Sequence, residues 1–162
     1  MTDLNPQTLK RFVDQHWPAL VLYARQWCDD PEDAVQEALL KLAGQRPWPD
    51  DPIAWTYRVL KRQAVSHRRS AGRRRAREHR ACRDQAWVDS VDDRLDAQQL
   101  TEALSSLDSD TREIIVTRIW GGLNFRQISE LSGLSISTVF RRYEHGLTTL
   151  RDQIAIGCKH EP

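Results

Sequence analysis

One stretch of the sequence carries hydroxyl and arginine side chains at the spacing of a helix face. Apolar residues recur every three or four positions from residue 135 to 150, which predicts an amphipathic helix. Its predicted buried stripe is Ile136, Val139, Phe140, Tyr143, Leu147 and Leu150. The opposite face carries Ser137, Thr138, Arg141, Arg142 and His145. Hydroxyls can bond phosphates or base edges and arginine can bond guanine twice, so this pattern is typical of a major-groove reader.

A shorter helix should precede this one and meet it at a tight corner. Phe125, Ile128 and Leu131 have helical spacing, and Gly133 can adopt the positive φ that such a corner needs. Ser135 is suited to cap the second helix, because its hydroxyl can accept a backbone N–H of the first turn. We interpret the pair as a helix-turn-helix. An ordinary helical hairpin with a solvated basic face is the alternative.

The composition excludes several classes of protein. The chain has 162 residues, 40% hydrophobic and 29% charged, and no apolar run approaches the roughly 18 residues of a membrane span. The first residues lack the pattern of a signal peptide, so a cytoplasmic location without membrane insertion is expected. The three cysteines form no C-x-x-C pair and predict neither a disulfide framework nor a zinc site.

The side chains predict no catalysis. No paired carboxylates, Ser/His pair or metal-ligand set is placed for a reaction, and the five histidines are scattered. We therefore expect neither an enzyme nor a metal, a cofactor or a small-molecule substrate.

Charge is distributed unevenly along a chain whose formal net charge is only +1. Residues 58–80 hold ten lysines and arginines against one acid, whereas residues 84–113 hold nine acids against two arginines. The basic run at 73–80 is suited to hold DNA non-specifically. Residues 71–94 are poor in aliphatic side chains and dense in charge, which predicts a linker.

Helical patterns account for the rest of the chain. The stretch 9–27 should form a helix in two pieces, with Pro18 between them either starting the second piece or kinking the pair. Helices are also predicted at about 31–43, 52–70 and in two short segments between 95 and 120. The predicted fold class is all-α, with two small helical domains at 1–70 and 95–162. The linker 71–94 joins them, and the second domain has four helices that include the helix-turn-helix.

Two faces in the first half carry polar side chains of interest. Aromatic rings interleaved with arginines suit single-stranded nucleic acid, and such residues occur at Trp48, Trp55, Arg58, Arg62, Ser66 and Arg69. A tryptophan in the core with arginines in water is the alternative. The second predicted helix exposes Asp33, Gln36 and Glu37, for which simple solvation is the alternative.

Two segments resemble bacterial RNA polymerase sigma factors of the extracytoplasmic-function (ECF) type. The family's region 4 is similar to LSSLDSDTREIIVTRIWGGLNFRQISELSGLSISTVFRRYEHGLTTLR. Regions 2.2 and 2.3–2.4 resemble DDPEDAVQEALLKL and PIAWTYRVLKRQAVSHRR. The resemblance implies a promoter-specificity subunit that binds core RNA polymerase, recognises the −10 and −35 promoter elements and supports transcription initiation.

The resemblance also implies roles for single residues. The −35 duplex would be contacted by Arg112, Arg118, Ser135, Ser137, Thr138, Arg141, Arg142 and His145. The strand of the −10 element would be contacted by Trp48, Trp55, Arg58, Arg62, Ser66 and Arg69. Core polymerase would contact Asp33, Gln36 and Glu37. An anti-sigma protein is a further partner that the resemblance allows, although no residue identifies one.

Departures from the family pattern concern promoter sequence. Arg62 stands where the family usually has Asn, Ser66 where it has Asp, and Phe140 where Lys is common. Two other functions fit parts of the sequence. One is a helix-turn-helix regulator that acts through its C-terminal domain only, and the other is a protein that binds polymerase without supporting initiation.

Overall fold

The computed structural model of the chain describes residues 5–71 and 94–157, with side chains at 5–66 and 99–155. Within these ranges it contains seven helices and no strand. They are α1 (Pro6–Ala24), α2 (Pro31–Gly44), α3 (Pro52–Ala71), α4 (Arg94–Ser106), α5 (Ser109–Ile119), α6 (Phe125–Ser132) and α7 (Ile136–Gly157). The chain divides into two compact units, Met1–Cys82 and Arg83–Pro162. The all-α fold class is confirmed, while the predicted linker lies outside the described residues.

The helices of the first unit share one type of start signal. Asn5, Asp30 and Asp51 each precede a proline that opens a helix. Their side-chain oxygens accept backbone N–H groups of the first turn at 3.0–3.1 Å. Proline has no N–H to leave unpaired in that turn, and its fixed φ suits the first helical position. The starts of α1, α2 and α3 are therefore encoded locally.

The core of the first unit is formed by three mutually contacting helices. The rings of Tyr23 on α1 and Tyr57 on α3 meet edge to face, with centroids 4.9 Å apart. The inner stripe of α2 is buried at Val35, Ala38, Leu39 and Leu42. These contacts fix the faces of α2 and α3 that remain outside.

A single helix replaces the predicted two pieces at the N-terminal end. Pro18 lies inside α1, and the six residues that follow it, 19–24, are all buried. Proline removes one backbone hydrogen bond from the helix. Burial of a full turn and a half of apolar side chains offsets that loss, since each large one contributes about 1.5–3 kcal/mol. A second helix that starts at Pro18 was therefore the wrong alternative.

The second unit is organised around α7, which contacts α4, α5 and α6. Its core includes Leu104, Ile114, Ile115, Leu123, Ile128 and Val139. Gly146 lies where α5 crosses α7. A Cβ atom at this position would lie 2.8 Å from Cγ2 of Thr111 and 3.0 Å from Cγ1 of Ile115. The two helices can approach this closely because residue 146 has no side chain.

The buried stripe of α7 differs from the predicted one. Val139, Gly146 and Leu150 face inward, whereas Ile136 and Phe140 are exposed. Ile136 is the first residue of the helix, and Phe140 lies one step around the helix from the inward-facing Val139. The prediction was therefore wrong at Ile136 and Phe140. Ile119 is also exposed, at the end of α5. In the described ranges no helix has the length and apolar character needed to cross a bilayer.

Candidate nucleic-acid interface

A tight corner joins α6 to α7. The side chain of Asn124 accepts the N–H of Gln127 at 2.9 Å, and the Gln127 side chain accepts the N–H of Asn124 at 2.8 Å. This reciprocal capping box fixes the start of α6. Gly133 ends the helix with φ 77°, and its N–H donates to the carbonyl of Ser129 at 2.9 Å. The predicted corner is confirmed, because Gly133 has the positive φ that was expected of it. A left-handed residue of this kind commonly ends a helix.

Three hydroxyls gather at the start of α7. The Oγ of Ser135 accepts the N–H of Thr138 at 3.2 Å, which confirms the predicted cap. The same oxygen lies 2.8 Å from Oγ1 of Thr138 and 3.2 Å from Oγ of Ser137. The N-terminus of α7 thus combines three hydroxyl groups with the positive end of the helix dipole.

The exposed face of α7 brings together most of the predicted reading residues. Ser137, Arg141 and His145 are exposed, and Thr138 is half-buried. Residues three and four apart lie on one face of a helix, so these side chains form a continuous stripe. Phe140 and Glu144 are exposed on the same side. Sequence reasoning missed both as members of this face.

Arg142 is held by acids of another helix. Its Nη1 donates to Oδ1 of Asp108 at 2.9 Å and lies 3.6 Å from Oδ2 of Asp110. Both acids lie at the start of α5, where negative charge also favours the helix dipole. Of the two adjacent arginines on α7, Arg141 is exposed and Arg142 is half-buried.

Asp108 itself is bonded from three directions. Its carboxylate accepts the N–H of Thr111 at 3.1 Å, the Thr111 hydroxyl at 2.6 Å and the Arg142 guanidinium at 2.9 Å. Burial raises the pKa of Asp108, but the Thr111 hydrogen bonds and the Arg142 charge outweigh it, so the pKa lies below its ordinary value. The carboxylate is therefore kept ionised, and it ties α5 to α7.

Arg112 caps the end of α4. Its Nε donates to the carbonyl of Leu104 at 2.7 Å, and its Nη2 donates to those of Leu107 at 2.7 Å and Ser105 at 3.2 Å. Carbonyls at a helix C-terminus have no partner within the helix, and a cation is well placed to satisfy them. The structure thus gives Arg112 a structural task that the sequence prediction did not include.

Arg118 is also engaged within its own unit. Its Nη1 donates to the carbonyl of Leu123 at 3.0 Å, and its Cζ lies 4.9 Å from the ring centroid of Phe125. A guanidinium at this distance from a ring makes a favourable cation–π contact. Phe125 in turn meets Phe140 and Tyr143 of α7, with ring centroids 5.4 and 5.3 Å away. Arg118 therefore supports the packing beneath the corner.

The outer face of α3 carries the second predicted cluster. Arg58, Arg62 and Ser66 are exposed, and Trp55 is half-buried at the same side. Their spacing places them along one stripe of the helix. Trp48, in the loop before α3, is half-buried, and the side chain of Arg69 lies outside the described ones. Half-burial of Trp55 leaves part of its ring accessible beside the arginines, between the two alternatives that the sequence allowed.

The outer face of α2 exposes the three predicted polar residues. Asp33, Gln36 and Glu37 are exposed, and the Glu37 carboxylate accepts Nζ of Lys41 at 2.8 Å. Leu40 lies one turn after Gln36 and keeps 73% of its surface exposed. An exposed large apolar residue among charges is more informative than the charges themselves. The spacing of Val35, Ala38, Leu39 and Leu42 could have signalled it, because Leu40 lies outside the stripe that these four residues form on a helix.

Comparison with known proteins identifies the two units. The family model for sigma-70 region 2 matches residues 12–74, and the model for sigma-70 region 4 matches residues 97–150. The ECF RNA polymerase sigma factor SigL of Mycobacterium tuberculosis is 27% identical over 158 residues, covering 88% of this chain and 86% of SigL. The chain belongs to the sigma-70 family of RNA polymerase sigma factors, in its ECF type.

A solved structure shows the same fold. The sigma factor RpoE in complex with the anti-sigma factor NepR, from Bartonella quintana, superposes with a TM-score of 0.71 at 22% identity. The match covers 93% of this chain and 98% of RpoE. Members of the family are transcription initiation factors without catalysis of their own, and they act as promoter-specificity subunits. In the described part of the chain, no cluster of histidine, cysteine and acidic residues could hold a metal ion.

Proposed function

We propose that this chain binds core RNA polymerase, recognises the −10 and −35 promoter elements and supports transcription initiation. One observation carries the proposal. A helix-turn-helix with an exposed polar face lies in the unit that matches region 4, and a stripe of exposed arginines beside the half-buried Trp55 lies in the unit that matches region 2. A promoter subunit needs both, since it binds one element as duplex and the other as an opened strand.

The −35 duplex is assigned to the exposed face of α7. Arg141 is its exposed arginine and the candidate for a bidentate bond to guanine, worth about 1–3 kcal/mol of discrimination. Ser137, Thr138 and His145 lie on the same side of α7. The three neighbouring hydroxyls of Ser135, Ser137 and Thr138 are suited to bind a phosphate. Arg112, Arg118 and Arg142 were expected to contact DNA as well. Their hydrogen bonds within the unit favour a positioning role instead.

The −10 strand is assigned to the outer face of α3 and the loop before it. Bases of a single strand stack on aromatic rings, while arginines meet the phosphates. Trp55 offers part of its ring next to the exposed Arg58 and Arg62. Trp48, Ser66 and Arg69 are included in the proposal by the sequence resemblance. This assignment gives the first unit a task that a regulator acting through the second unit alone would not need.

Core polymerase is assigned to the outer face of α2. Asp33, Gln36 and Glu37 supply polar contacts, and the exposed Leu40 supplies the apolar centre that stable interfaces contain. Assembly with polymerase would take place in the cytoplasm. The expectation of an anti-sigma partner rests on the family resemblance alone.

Reconstituted transcription tests the proposal. Full-length chain is added to core RNA polymerase of the source bacterium with fragmented genomic DNA, and the 5′ ends of the transcripts are sequenced. We expect discrete start sites that share sequence blocks upstream at the −10 and −35 positions. Duplex binding without any effect on polymerase would support the helix-turn-helix regulator instead. Polymerase binding without new start sites would support the non-initiating interaction protein.

The assignment of α2 has its own test. Leu40→Asp should weaken binding to core polymerase at least about tenfold, because burial of a leucine contributes about 1.5–3 kcal/mol. Ile154→Asp is the matched control, since Ile154 is also an exposed apolar residue but lies on α7. Equal affinities of the two variants, measured by fluorescence anisotropy of labelled chain, would contradict the assignment of α2.

A further inference from the structure

An aromatic ring is exposed at the edge of the polar face of α7. Phe140 keeps 46% of its surface exposed, although large apolar side chains are usually buried. Ser137 precedes it by three residues and Glu144 follows it by four, so all three lie on one side of the helix. Arg141, the exposed arginine of this face, is its neighbour in sequence. The ring therefore belongs to the surface that the proposed function places in the major groove.

The ring is held in place from one side. The ring of Phe125 on α6 meets that of Phe140 edge to face, at 5.4 Å between centroids and an interplanar angle of 84°. Phe125 is itself fixed by contact with Tyr143 and by the guanidinium of Arg118. Edge-to-face aromatic pairs contribute beyond their buried area and set the orientation of both rings. Phe140 thus presents an oriented apolar surface to the outside.

The chemistry of the groove limits what such a surface can contact. A phenyl ring has no conventional hydrogen-bond donor or acceptor to offer a phosphate or a base edge. The C5-methyl group of thymine is the apolar feature of the major groove, and phenylalanine is among the side chains suited to it. Glu144, on the same side one turn later, would be repelled by phosphates but can accept from N4 of cytosine. Both residues point to base edges rather than to the backbone.

We propose, on the basis of the function proposed above, that Phe140 reads a thymine in the −35 element by contact with its C5-methyl group. Substitution of thymine by uracil removes that methyl group and leaves every Watson–Crick hydrogen bond in place. Wild-type chain should therefore lose about fourfold in affinity at one uracil position, the factor that corresponds to about 0.8 kcal/mol for one buried methylene-sized group. The Phe140→Ala variant should bind the thymine and uracil duplexes equally at that position.

The experiment begins with the protein assembled on core RNA polymerase. A duplex library randomised over the −35 region is selected for binding, and the enriched sequence is then resynthesised with each thymine replaced in turn by uracil. Affinities of wild-type chain, Phe140→Ala and Phe140→Leu are measured by competition. Phe140→Leu keeps an apolar side chain, so it should retain part of the sensitivity to uracil even if Phe140→Ala folds poorly. Ile154→Ala is the control, because Ile154 is exposed on the same helix about 21 Å further along.

The outcomes separate the two proposals. A uracil effect that is present in wild-type chain and in Ile154→Ala, but absent in Phe140→Ala, supports the contact. An enriched sequence without thymine, or an equal uracil effect in wild-type chain, Phe140→Ala and Phe140→Leu, overturns the contact and leaves the proposed function intact. Failure of the library to enrich any sequence overturns −35 recognition itself, and the Phe140 contact with it.

Discussion

The two proposed nucleic-acid faces differ in how their arginines are held. Around the helix-turn-helix, Arg112, Arg118 and Arg142 bond to backbone carbonyls or to acids of the same unit, and Arg141 is exposed on α7. In the first unit, Arg58 and Arg62 stand exposed along α3. A duplex reader must hold one side chain at a fixed angle to base edges, whereas a single-strand surface needs charge beside rings. The number of arginines in a unit therefore says little about how many contact nucleic acid.

The largest effect is expected at Arg112, on the stability of the second unit. Arg112→Ala removes donors from three carbonyls at the end of α4 and should destabilise the second unit by about 2–3 kcal/mol, because hydrogen bonds to charged groups are stronger than neutral ones. Urea denaturation of the full chain measures the change. The matched variant Arg62→Ala, on the exposed face of α3, should stay within about 0.5 kcal/mol of wild type. Similar losses of unfolding free energy in both variants would mean that the hydrogen bonds of Arg112 do not give it a structural role that Arg62 lacks.

Arg141 should give the next largest effect, on binding rather than stability. Arg141→Ala should weaken recognition of the −35 duplex by about 2 kcal/mol, within the range expected for one bidentate base contact, and relax preference at one base pair. Arg142→Ala is the comparison, because Arg142 is held by Asp108. It should change unfolding more than base preference. Loss of the same base preference in both variants, measured with a set of single-substitution duplexes, would argue against a purely positioning role for Arg142.

Asp108 connects the contrast to pH. Asp108→Ala should cost about 1 kcal/mol as a lost helix cap. The pKa of Asp108 is lower in the folded chain than its ordinary 3.8. The stability that the carboxylate contributes is therefore present above that value and is lost as the pH falls through the lower folded pKa.

Comparison with a second variant isolates the charge. Unfolding free energies of wild type, Asp108→Ala and Asp108→Asn are compared between about pH 6 and about pH 3. The difference between wild type and either variant should shrink towards acid pH. Asparagine can still cap α5, so Asp108→Asn should lose less at neutral pH than Asp108→Ala. A difference that stays constant with pH would mean that the charge of Asp108 is not what holds Arg142.

The smallest effect is expected on α3. Arg62→Gln removes one charge from the exposed stripe. If Arg62 meets a phosphate, the slope of log affinity against log salt for a single-stranded −10 oligonucleotide should fall by about 0.7. Binding is measured with full-length chain on core polymerase at several salt concentrations. Lys10→Gln, which removes an exposed cation from α1 instead, should leave the slope unchanged.

Local signals in the sequence predicted much of the fold. Gly133 and Ser135 act through their own backbone and their nearest neighbours, so the corner between α6 and α7 was predictable in detail. The same holds for the inner stripe of α2. Pro18 was misjudged because burial of the following residues, a property of the whole unit, outweighs a local helix-breaking preference.

The surroundings that the sequence did not predict depend on contacts distant in sequence. Arg142 and Asp108 are separated by 34 positions, and nothing in the spacing of α7 reveals that α5 begins beside it. Phe140 fits the helical period as well as Val139 does, and only the place where α5 crosses decides which of them faces inward. The order and type of elements thus follow from the sequence, whereas the chemical role of each arginine on them requires the packing.

The absence of a side chain at Gly146 determines how closely α5 and α7 approach, and thereby the orientation of α7. Thr111, against which a Cβ atom would press, is buried and cannot rotate away without breaking its bond to Asp108. Alanine at position 146 would gain about 1 kcal/mol of helix propensity and lose about 1–3 kcal/mol to overpacking, so the stability of the unit would change modestly. The added side chain would also change the tilt of α7 relative to α5. Arg141 and Phe140 lie five and six residues before position 146 on α7, so a change of tilt would displace them. Glycine at position 146 therefore matters more for the orientation of the exposed face of α7 than for the stability of the unit.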